Sequence, residues 1–85
     1  MDSDVPPNPL AEWRRENNYN RTELAAILGC SAASIHYWET TKTPPIRVHQ
    51  RGIMNITGDD TIIQRMDEWQ RKYGKERNQA KQPAT

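Results

Sequence analysis

The sequence predicts an all-α protein, a compact bundle of five short helices over residues 9–74, set between a disordered arm (1–8) and a disordered tail (75–85). Three observations predict it. Apolar residues recur at spacings of three and four, and no segment alternates as a half-buried strand would. Capping residues stand ahead of these runs, and glycine, proline or asparagine follows them. Apolar residues make up only 34% of the 85, yet outside Pro9–Tyr73 the ends contribute just Met1, Val5, Ala80 and Ala84. The remainder is enough for one small core and no second.

The elements follow in order. Asn8-Pro9 opens a first helix, Pro9–Asn17, because Asn caps free amides and Pro at the first position loses no hydrogen bond. Leu10 and Trp13 give it an inner face. Asn20-Arg21-Thr22-Glu23 reads as a capping box for a second helix carrying Leu24, Ala25, Ile27 and Leu28 and ending at Gly29. Ser31 caps a third, with Ile35 and Trp38 inward and Thr40 to Thr43 at its end. Pro44-Pro45 leads into a fourth, with Ile46, Ile53 and Ile56 near helical spacing and Gly52 as a weak point. After the turn and cap at Thr57-Gly58-Asp59-Asp60, the last helix (60–73) carries the stripe Ile62, Ile63, Met66, Trp69 and Tyr73 and stops at Gly74.

Composition excludes several classes. A lone cysteine, Cys30, rules out an internal disulfide framework and a multi-thiolate metal site, and it suits a reducing cytoplasm. No apolar run approaches a membrane span, and the acidic, Pro-rich start is unlike a signal peptide. The expected location is cytoplasmic. Net charge is +1, distributed with Asp2, Asp4 and Glu12 at the start and six Lys/Arg against three Glu over residues 13–58. That centre is compatible with phosphate contact without demanding it.

The informative spacing lies between Arg21 and Trp38. Ala25 follows Arg21 by four residues and Gly29 follows Ala25 by four; Ile35 comes six later and Trp38 three after that. Two helices crossing through a short turn need a small residue where their backbones meet and a glycine where φ turns positive. Leu24, Leu28, Cys30, Ile35 and Trp38 seal the wedge. This arrangement resembles the helix-turn-helix of the phage repressor/Cro-like (XRE-type) DNA-binding family. The resemblance covers roughly Pro9 to Gly58, and includes Leu10 to Arg14 and Asn20 to Ala25 as the first two helices and Trp38-Glu39 at the end of the third.

The resemblance implies a bundle of the lambda-repressor-like type, with motif 21–39. It implies a bacterial or phage repressor that binds double-stranded DNA as a homodimer, helix 31–39 lying in the major groove. Ala32, Ala33, Ser34, His36 and Tyr37 would face bases, and Arg21, Ser31, Thr40, Lys42 and Arg47 would hold phosphates. Arg14 and Glu39 occupy positions that often pair between helices one and three. Family members often carry Gln where this chain has Arg21 and Ala32, and Gly where it has Thr41. Alanines cannot make bidentate bonds to bases, but their methyls can pack on thymine methyls, leaving Ser34, His36 and Tyr37 as polar readers.

Other readings are bland. Trp13, Leu24, Ile35 and Trp38 read as core, Cys30 as a packed turn residue, and His49 as a surface residue without a close partner. Cys30, His36 and His49 lack metal-ligand spacing, and no phosphate loop or nucleophile elbow exists, so no metal, cofactor or catalytic residue is expected. The stripe Ile62, Ile63, Met66, Trp69 and Tyr73 is the nominee for the dimer interface, or for a protein partner. The competing function is a protein-binding adaptor or antitoxin-like partner on the same scaffold.

Overall fold

A computed structural model describes residues 5–76. Five helices follow in order: α1 Pro9–Glu16, α2 Arg21–Leu28, α3 Ala32–Thr40, α4 Arg47–Thr57 and α5 Ile62–Tyr73. Each supplies at least one side chain to a single core of Leu10, Leu24, Ala25, Ile35, Trp38, Ile53, Ile62 and Met66. No strand is present among the described residues, and none of their helices is long and apolar enough to cross a membrane.

Local chemistry sets the boundaries. The Asn8 side chain accepts from the amides of Leu10 and Ala11, at 2.8 and 3.3 Å. The capping box at α2 is complete: Asn20 accepts from the Glu23 amide and Glu23 accepts from the Asn20 amide, both at 2.8 Å. Gly29 sits at φ 74°, ψ 35°, the left-handed conformation a Cβ opposes. The N-cap of α5 is Thr61, not Asp59 or Asp60, and Asp59 supports it by accepting from the Thr61 amide and hydroxyl. Those bonds, with the Arg65 guanidinium, hold the Asp59 carboxyl below its ordinary range.

The end of α3 lacks a glycine cap, so its last carbonyls need partners from elsewhere. They find them across the molecule. The Trp38 carbonyl accepts from Asn8 Nδ2 at 3.3 Å and from Gln70 Nε2 at 2.9 Å. The Thr40 carbonyl accepts from the Lys75 amide at 2.9 Å, and the Lys75 carbonyl accepts from the Lys42 amide at 3.0 Å. Asn8 and Gln70 are both buried polar residues, and among the described residues no buried side-chain nitrogen or oxygen lacks a partner.

Several expectations are corrected. Ile62 and Met66, nominated for a dimer interface, are each 1% exposed and belong to the chain's own core. Burial of such a side chain contributes about 1.5–3 kcal/mol, and the monomer uses it. The inner end of the arm is ordered: Asn8 is buried, and the Trp69 indole N–H donates to the Pro6 carbonyl at 2.7 Å. Lys75, drawn as the first residue of the tail, is paired to Thr41; residues 1–4 and 77–85 lie outside the described residues. His49 is not a bare surface residue, since its ring lies 5.4 Å from that of Trp38. Ile46 is 63% exposed because it precedes α4 instead of joining its inner face, and Ile27 is exposed on α2. Trp13 is only half-buried, stacked on Tyr19 at the margin of the core.

Glycine at 74 is required for space and not for conformation, since its φ is an ordinary −66°. A Cβ there would lie 2.7 Å from the carbonyl oxygens of both Gln70 and Thr41. Backbone cannot yield as a flexible side chain can, so Gly74→Ala should part α5 from the end of α3. The expected loss is about 1–3 kcal/mol, as for other overpacking changes. Thermal denaturation checks it: each kcal/mol lowers the midpoint by about 4–8 °C in a domain this size.

Candidate nucleic-acid interface

The candidate interface is built on α2, α3 and the turn between them. Gly29, Cys30 and Ser31 form that turn, with the Cys30 amide donating to the Ala25 carbonyl at 3.0 Å. Ser31 then caps α3, accepting from the Ser34 amide at 3.1 Å. The Ser31 and Ser34 hydroxyls also bond each other at 3.1 Å. Burial raises the Cys30 thiol above its ordinary range.

With Ile35, Trp38 and Glu39 turned inward, α3 leaves Ala33 and His36 exposed and Ala32, Ser34 and Tyr37 half-buried. The His36 and Tyr37 rings meet edge-on, 5.6 Å apart. All five proposed base readers therefore lie on one helix, and only two of them stand fully in solvent.

The proposed phosphate contacts are placed less uniformly. Ser31 spends its hydroxyl on the cap and on Ser34. Thr40 donates its hydroxyl back to the His36 carbonyl at 2.8 Å. Lys42 is exposed just beyond α3, with Glu76 3.3 Å from its ammonium. Arg47 is exposed at the start of α4, and one turn on is Arg51, also exposed, which sequence reasoning passed over. Their four-residue spacing was the available signal.

Arg21 has an internal partner. Glu39, whose side chain is 1% exposed, accepts from Arg14 Nε at 2.8 Å, Arg14 Nη2 at 3.1 Å and Arg21 Nε at 3.0 Å. The expected Arg14–Glu39 pair is thus present and bidentate, and Arg21 makes it a triad joining α1, α2 and α3. Arg14 also donates to the Tyr19 carbonyl at 3.0 Å, bracing the connection between α1 and α2. One carboxylate shared by two guanidiniums leaves the cluster with one positive charge in excess.

Among the described residues no group of three or more His, Cys, Asp or Glu is placed to hold a metal ion. No protein-family model, curated protein or solved structure matches the chain.

The triad orders the cost of its three truncations. Glu39→Ala leaves two guanidiniums facing each other without a counter-charge, and Arg14→Ala leaves the buried carboxylate with the half-exposed Arg21 alone. Each should cost about 3–5 kcal/mol. Arg21→Ala should cost less, about 1 kcal/mol, because its side chain is 35% exposed and water can replace it. Urea denaturation of the three variants checks the order; equal losses would show that Arg21 carries as much of the carboxylate's pairing as Arg14.

Proposed function

We propose that the chain is a sequence-specific DNA-binding regulator of the lambda-repressor-like, phage repressor/Cro type, with α3 in the major groove. The observation that carries this reading is the division of α3 into two faces. Ile35, Trp38 and Glu39 are spent on the fold, while Ala33 and His36 stand in solvent with Tyr37 beside them, on a helix held rigidly by α2 and by the triad. A major groove admits one helix, and small and polar side chains on its outer face can reach base edges. Lys42, Arg47 and Arg51 supply exposed positive charge beyond the end of α3 for the sugar-phosphate backbone.

The regulator would act as a homodimer. A single short helix reads too few base pairs for useful discrimination, and a two-fold pair reads half-sites about one helical turn apart. A second reading, a protein-binding adaptor on the same scaffold, draws on one observation: α3 itself carries no Lys or Arg. In either case the protein would act without catalysing a reaction.

Selection of bound sequences from a random duplex pool tests the first reading, followed by titrations on the selected site and on scrambled duplex at three salt concentrations. Tyr37→Ala should weaken the selected site by about 1–3 kcal/mol, as loss of a base contact does, and leave the salt slope unchanged. Arg47→Ala should weaken both duplexes alike and lower the slope by about 1. Arg47 suits this comparison better than Arg21, whose removal would also disturb Glu39. Sedimentation of the complex should show two chains per site. Flow-through on duplex at low salt would instead favour the adaptor.

A further inference from the structure

A cleft of about 500 Å³ opens where the N-terminal segment, α1, the end of α3 and the last turn of α5 meet. Its lining is of two chemical kinds. Pro6, Trp69 and Tyr73 give an apolar, aromatic side, with the two rings 5.9 Å apart. Arg15, Arg21 and Lys75 add cationic groups to the lining. The carboxylate that also borders the cleft, Glu39, is outweighed, because Arg14 and Arg21 bring two charges to its one. The triad's excess positive charge therefore adds to that of Arg15 and Lys75. The outer face of α3 uses none of these groups, while Arg21 and Glu39 also serve the triad.

We propose that this cleft is a binding site for a small aromatic carboxylate. The ring would pack against the wall that Pro6, Trp69 and Tyr73 form together, and the carboxylate would take hydrogen bonds from the guanidinium groups. Guanidinium favours such a partner because its planar donors match two carboxylate oxygens. An aromatic wall with a few charged groups at one end is the usual build of a small-molecule pocket, and the volume falls within the range for such sites. The Trp69 indole N–H is already committed to Pro6, which fixes that ring as a wall and leaves the arginines as the donors. The site does not draw on the base-facing residues of the nucleic-acid reading, and shares with it only Arg21 and Thr40 among the residues assigned to phosphate.

The test uses the full chain, ¹⁵N-labelled, titrated separately with indole-3-acetate, its neutral counterpart indole-3-acetamide, and inorganic phosphate. Indole-3-acetate should shift the Trp69 indole N–H and the Arg15 and Lys75 amides saturably. The amide and phosphate should each bind at least tenfold more weakly, the first lacking the charge and the second the ring. Arg15→Glu and Tyr73→Ala both alter exposed side chains, and each should weaken indole-3-acetate at least tenfold while the rest of the spectrum stays native. Lys75→Gln serves in place of Arg15→Glu should that variant fail to fold. Absence of saturable shifts at these positions overturns the proposal. So does equal affinity for acid and amide, affinity for phosphate matching that for the indole acid, or undiminished binding by a folded charge variant.

Discussion

The carboxylate of Glu39 is the constraint around which the helices are arranged. An ionised group removed from water costs several kcal/mol unless its lone pairs are filled, and here three N–H groups from two arginines fill them. Those arginines sit on α1 and α2, so the carboxylate can be satisfied only when three helices are in place together. The apolar core supplies most of the driving force for collapse, but collapse alone tolerates sliding. A charge with directional partners tolerates little of it, and Glu39 therefore fixes how α3 is presented.

The same end of α3 imposes a second requirement. Its final carbonyls have no helical partners, and residues distant in the chain supply them: Asn8, Gln70 and Lys75. Gln70 also donates to the Thr43 carbonyl at 2.8 Å, which ties α5 to the segment leading into α4. Polar side chains thus accomplish at this junction what leucine and isoleucine accomplish in the core. They are specific where the apolar contacts are general.

How much of this could be read from the residues follows from the range of each interaction. Local signals are legible: the Asn20–Glu23 box, Gly29 after α2 and the Ser31 cap all act within four residues. The Arg14–Glu39 pair was legible only through resemblance, and Arg21 as its third member was not, because a charge at a helix start looks the same whether it faces phosphate or carboxylate. The α5 stripe was legible as an apolar face but not as to what covers it. Ile62 and Met66 would show the same spacing in a monomer core or in an interface. Gly74 read as a helix stop, while the close approach of the Thr41 carbonyl depends on residues more than thirty positions away. His49 was invisible for the same reason, since its Trp38 neighbour lies on another helix.

The sharing of one carbonyl, that of Trp38, by Asn8 and Gln70 has a topological consequence. Asn8 and Gln70, near the two limits of the described residues, are drawn to the same few ångströms of backbone, so the described path is nearly a closed ring. A short linker could join positions near residues 5 and 76, and new ends could be cut at the Gly58 turn, giving a circularly permuted chain with the same packing. The closure also sets Val5 and Lys75, near the two limits of the described residues, at one cleft of the bundle.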